Sequence, residues 1–159
     1  MKGIPIMSND DIVDTLNDLI ETCKDGEFGF TACAKHTSSN ELRAAFLQRA
    51  SECRNAADEL QPYVVQYGGQ PDQGGSASGA LHRGWVAVRG SLVGFSDQAI
   101  LDECERGEDA ALARYRKAQK QELPEQVMAL VQRQAIGVQR NHDQIKALRD
   151  RQRAAQDAR

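Results

Sequence analysis

Apolar residues recur at helical spacing along four long stretches, and few windows show the two-residue alternation of a strand. The first stripe runs Ile12, Leu16, Ile20, Cys23, Phe30 and Ala34, with Glu27 interrupting it mid-helix. Ser8 or Asn9 is placed to cap this helix, and Asp10 and Asp11 fall in its first turn, where acids suit the helix dipole. Gly26 and Gly29 flank the acid. Each glycine costs about 1 kcal/mol against alanine in a helix interior, so close packing or a local distortion must offset it. "TSSNEL" supplies turn and cap residues for a second helix, whose face is Leu42, Ala45, Phe46, Arg49, Cys53, Ala56, Leu60 and Val64, with Glu52 at its edge. Pro62 predicts a kink or the last turns, and Gly68 and Gly69 a stop.

"GGQPDQGGSASG" is a linker by composition. Antiparallel neighbours in a simple bundle need only about two to eight connecting residues, so a connection of this length predicts a crossover along the bundle. "ALHRGWVAVRGSLVG" follows, short and broken by glycine, and reads as an extra helix lying across that crossover. Leu81 and Trp85 share one face of it, and packing is the expected role of Trp85. His82 and Arg83 are placed to bind an anion or to meet acids of the bundle. Ser96 or Asp97 caps a third helix that ends near "KQELP". Pro124 suits the first turn of a fourth, with Val127, Leu130, Val131, Gln134, Val138, His142, Ile145 and Leu148 on its face. The expected organisation is a flexible extension over 1–8, a four-helix bundle over 9–152 and a frayed tail over 153–159.

Composition supports an all-α chain. Among 159 residues only 5% are aromatic and four are proline, so small aliphatic side chains must fill the core. A net charge of −3 lacks the basic excess of a nucleic-acid binder, and no run approaches the roughly 18 to 20 apolar residues that span a bilayer. No apolar run of signal-peptide length opens the chain. Cys23, Cys33, Cys53 and Cys104 show no CxxC or zinc-finger spacing and read as small buried apolar residues of a cytoplasmic protein.

The candidate chemistry lies in acids that share the apolar stripes. The third helix, "ILDECERGEDAALARY", sets Glu105 and Glu108 on or beside its apolar face. Counted from the turns near residues 38 and 122, Glu27, Glu52, Glu105, Glu108 and His142 all fall near mid-helix, within roughly 5 to 15 Å in height at 1.5 Å per residue. Carboxylates and an imidazole suit iron or manganese, and burying acids without a cation is costly. A Glu-x-x-His pair on each of two helices marks a two-metal centre. Here the second helix offers Glu52-x-x-Asn55 and the fourth Gln139-x-x-His142, so one metal ion, or none, is the expectation. The competing account is that border glutamates reach water or pair with arginine, Arg49 and Arg106 being at hand. No phosphate loop, nucleophile elbow or Cys/His pair is present.

"LNDLIET" with "KDGEFGF", then "YGGQP", "GSASGALHRGW", "ILDECERGEDAALARY" and "LP" before "QRNHDQIKALRD" resemble a bacterial family of uncharacterised four-helix-bundle proteins, a domain of unknown function in the ferritin-like superfamily. "HRGW" and "ERGED" are its most specific pieces. The resemblance implies a ferritin-like bundle over roughly residues 9 to 150, and by analogy a stress association, with no substrate or ligand set. The resulting expectation is a non-enzymatic bundle with a degenerate carboxylate/His site for one metal ion. Alternatives are a di-iron or di-manganese protein that oxidises or stores metal, and a metal-free module that assembles as a homodimer or larger homo-oligomer. None involves nucleic acid or membrane.

Overall fold

The computed structural model describes residues 7–73, Trp85 and residues 94–158. Four helices make up the described chain: α1 (Asn9–His36), α2 (Asn40–Gln66), α3 (Asp97–Gln119) and α4 (Glu125–Asp157). Among the described residues there is no strand, and no helix is long and apolar enough to cross a membrane.

Local chemistry sets the ends. The hydroxyls of Ser8, Ser39 and Ser96 accept hydrogen bonds from the backbone N–H groups of Asp11, Leu42 and Ala99, capping α1, α2 and α3. Pro124, just before α4, occupies the cap position without a side-chain bond. Arg43 locks the α1–α2 turn by donating to the carbonyls of Ala34 and Thr37, both otherwise orphaned at the end of α1. Gly68, at φ 85°, turns the chain out of α2, and the Gly69 N–H bonds back to Val64. Pro62 lies inside the last turns of α2.

Cross-helix contacts define the topology. Asp97, opening α3, accepts hydrogen bonds from Thr37 and Ser38 just beyond α1, at 2.7 and 2.8 Å from the two hydroxyls. Asn17 near the start of α1 bonds Gln70 and Asp72 just beyond α2. The chain therefore leaves α2 at one end of the bundle and enters α3 at the other. Since α2 is 27 residues long, the end of α2 and the start of α3 lie about 40 Å apart. This is the crossover expected from the linker. The short helix expected around Leu81, His82 and Arg83 lies outside the described residues, apart from Trp85.

The core divides into two apolar clusters. One gathers Phe30, Phe46, Trp85, Ile100, Leu101 and Ile145; the other gathers Leu16, Ile20, Leu60, Tyr115, Val127 and Val131. Trp85 is buried, edge-on to Phe30 with ring centroids 5.0 Å apart. A methyl group on Gly29 of α1 or Gly107 of α3 would overlap its indole, and one on Gly26 would meet the Cys53 sulfur. Gly29 and Gly107 thus make the slot that admits Trp85 between α1 and α3, which offsets the helix cost of those glycines. "HRGW" and "ERGED" meet at this contact of Trp85 and Gly107.

Candidate functional site

Between the two apolar clusters, each helix contributes polar side chains to a waist at mid-bundle. Arg49 of α2 donates from Nε and Nη2 to Glu108 Oε1 of α3, at 3.0 and 2.7 Å, and both residues are buried. The remaining guanidinium nitrogen, Nη1, donates to Glu52 Oε2 at 2.8 Å, and Asn141 of α4 donates to the same oxygen at 2.7 Å. The guanidinium also stands over the Phe30 ring, 5.3 Å from its centroid. Glu108 Oε2 has no hydrogen-bond partner. Burial pushes the Glu108 carboxyl above its ordinary range, more than the Arg49 charge pulls it down.

About two helical turns away a second network crosses the core. The Tyr115 hydroxyl donates to Gln134 Oε1 at 2.7 Å and lies 3.3 Å from Cys23 Sγ. Gln134 in turn donates to the Ala56 carbonyl and to Glu59, whose other oxygen pairs with Arg133. Burial pushes the Cys23 thiol up to about 11 and raises Cys53 and Tyr115 as well, so all three are neutral at pH 7. A cavity of about 380 Å³ connects the two networks and reaches the exposed residues Arg133, Ile136 and Arg140 of α4.

A third group lies on the seam between α3 and α4. Glu105 and Asp109, four residues apart on one face of α3, and His142 of α4 each bring a donor atom within 4.8 Å of the others. His142 Nε2 is 2.5 Å from Asp109 Oδ1, and Arg149 pairs with Glu105.

The four acids and the histidine singled out in the sequence therefore fall into three places. Glu52 and Glu108 meet in the waist through Arg49, and Glu105 and His142 meet on the seam. Glu27 joins neither group: its side chain is 33% exposed and accepts from Arg54 at 2.9 Å. On α1 the buried face passes through Cys23, Asp25, Gly26, Gly29 and Phe30, which turns residue 27 toward the surface. Sequence reasoning missed Asp25, which is buried and lines the cavity, and Asp109, the exposed partner of His142. A signal for Asp109 was available in its i, i+4 spacing from Glu105; none marks Asp25, since an acid one position off a stripe is ordinarily solvated.

The waist does not fit two metal ions. A buried guanidinium already holds the space between its two carboxylates and supplies the positive charge that metal would bring. Asn55 and Gln139, where a paired centre wants imidazole and carboxylate, point elsewhere: Asn55 is exposed, and Gln139 bonds Asp143 and Arg116. The seam set, two carboxylates and an imidazole, does fit one divalent cation in its donor chemistry.

Helix order, crossover and a polar mid-bundle define a four-helix bundle of the ferritin-like class. The chain belongs to the family described as a domain of unknown function, DUF2383, which matches residues 11–121. Among solved structures it is similar to Mycobacterium smegmatis Dps. The tetragonal form of Dps is 17% identical, with a TM-score of 0.74 over 92% of this chain and 93% of that one. A Dps1 point mutant is 15% identical (TM-score 0.72, 89% and 96%), and a C-terminal deletion mutant of Dps 16% (0.71, 87% and 97%). At such identity the likeness is one of fold. No curated protein matches the chain.

Proposed function

We propose that this chain is a non-enzymatic ferritin-like bundle that binds a single divalent cation, iron or manganese by donor type, at Glu105, Asp109 and His142, and that its interior acids are held by Arg49 without metal. The observation that carries this reading is the convergence of two carboxylates and one imidazole on the α3–α4 seam, with donor atoms within 4.8 Å of one another. Hard oxygen donors with one nitrogen donor favour such ions over soft ones. A cation there takes the place of the contacts that Arg149 now makes with Glu105 and His142 with Asp109, so binding competes with those pairs.

The same reading has the chain associate with copies of itself, because Leu47, Val65 and Ile136 are large apolar side chains that are half exposed or more. Titration calorimetry with manganese(II) tests the cation site. One ion per chain is expected, with affinity lowered at least about tenfold in His142→Ala and Asp109→Asn, and unchanged in Glu52→Gln. Binding that survives His142→Ala, or that vanishes with Glu52→Gln alone, overturns the assignment. Light scattering separates a homo-oligomer from a monomer.

A further inference from the structure

Two of the four cysteines meet inside the bundle. Cys33, in the last turn of α1, and Cys104 of α3 stand with their sulfurs 3.6 Å apart, and both side chains are fully buried. Cys23 lies instead against the Tyr115 hydroxyl at 3.3 Å, and Cys53 packs on Gly26. The thiol pair sits one helical turn from the slot that holds Trp85. Gly29 is four residues before Cys33 on α1, and Gly107 is three residues after Cys104 on α3. Phe30, Phe46, Ile100 and Leu101 belong to the same apolar cluster.

A disulfide holds its sulfurs about 2.0 Å apart, so closing this contact takes about 1.6 Å of approach, which rotation about χ1 at two unbranched side chains can supply. We propose that Cys33 and Cys104 are a modification site, which hydrogen peroxide oxidises to a disulfide that staples α1 to α3. One sulfur gives up its proton and attacks the peroxide: an S–O bond forms, the O–O bond breaks, and the displaced oxygen leaves as water. The second sulfur then attacks the sulfenic acid, forming the S–S bond as the S–O bond breaks and a second water departs. Two thiols lose two electrons and two protons, and one peroxide becomes two waters. This goes beyond the cation proposed on the seam and does not depend on it.

Burial sets the pace of both directions. It raises the Cys104 thiol well above its ordinary range, so little thiolate is present and the first step is slow. The second step has its partner already in contact, so the sulfenic acid is trapped before it oxidises further. The finished bond is shut away from thiols in solution and is slow to be reduced. The pair therefore responds to sustained oxidant rather than to a brief pulse.

Incubating the folded chain with hydrogen peroxide, then alkylating free thiols, mapping peptides by mass spectrometry and following thermal unfolding, tests the assignment. A Cys33–Cys104 cross-linked peptide should appear, with Cys23 and Cys53 not cross-linked to each other. The two cysteines are 71 residues apart in the chain, so the oxidised form should melt at least about 5 °C higher. Cys33→Ala should lose both the cross-link and the rise, and Cys104→Ala should do the same, which keeps the proposal testable if either variant folds poorly. Cys23→Ala should keep both. Cys33 and Cys104 still free after Cys53 has been oxidised, a cross-link between Cys23 and Cys53, one that forms only in the urea-unfolded chain, or a Cys33–Cys104 bond with no rise in melting temperature overturns the proposal.

Discussion

Glu108 and Asp109 are consecutive residues of α3 with opposite surroundings. The Glu108 side chain is 2% exposed and receives two hydrogen bonds from a buried guanidinium; that of Asp109 is 61% exposed and faces a histidine. The first acid has its counter-charge built into the fold, because an ionised carboxylate without one costs several kcal/mol in the interior. The second leans on solvent and on an imidazole whose nitrogen suits a metal ion. Counter-charge, rather than the acid itself, separates a structural carboxylate from a candidate ligand. The same distinction answers why α3 points acids at its own core: arginine serves at the waist where a cation would otherwise be needed.

The largest test of this contrast is Arg49→Met, which strands Glu108. We expect a loss of about 3–5 kcal/mol in urea unfolding, largely recovered by adding Glu108→Leu, since an apolar pair of similar volume often replaces a buried ion pair without penalty. A single variant within about 1 kcal/mol of wild type would break the account of the waist. Next in size is Gly107→Ala, the residue before Glu108. Its new methyl group meets the indole of Trp85, so a loss of about 1–3 kcal/mol and a red-shifted tryptophan emission should appear together.

A third test uses pH at the end of α3. Burial alone raises the Asp97 carboxyl, but hydrogen bonds from Thr37 and Ser38 and the charge of Arg43 outweigh it and hold the group below its ordinary range. A carboxyl depressed in the folded state binds protons more readily when unfolded. Its contribution is therefore complete above the unfolded pKa of about 4 and is lost as pH falls through the lower folded value. Asp97→Asn should lower stability at pH 7 by about 1 kcal/mol and flatten the acid limb of the stability profile below pH 4. The smallest effect belongs to the seam. Asp109→Asn should change metal-free stability by less than about 1 kcal/mol, because an ion pair on a largely exposed side chain contributes little. A loss matching that of Arg49→Met would erase the difference between the two acids.

Much of the architecture was legible in the chain. Serine caps, the Gly68 stop, the long Gly/Ser/Gln linker and the 3.6-residue stripes predicted four helices and a crossover, and the structure has them. The candidate site was legible only in height along the bundle. Counting residues from each turn put the acids near the middle, but a rotation of one residue about the axis is 100°, which a stripe broken by glycines does not resolve. That is why Glu27 reads as inward and stands at the surface beside Arg54, while Asp25, two positions earlier, is buried.

By itself, then, the sequence determined the helices, their order and the level at which charged residues gather, because periodicity and end chemistry are local properties. Only the tertiary structure decided which acids share a partner. That Arg49 reaches across to Glu108, that Asp109 meets His142, and that Gly29 and Gly107 make a slot for Trp85 all depend on helix rotation and spacing. Those are set by packing between residues far apart in the chain, where no local pattern carries the information.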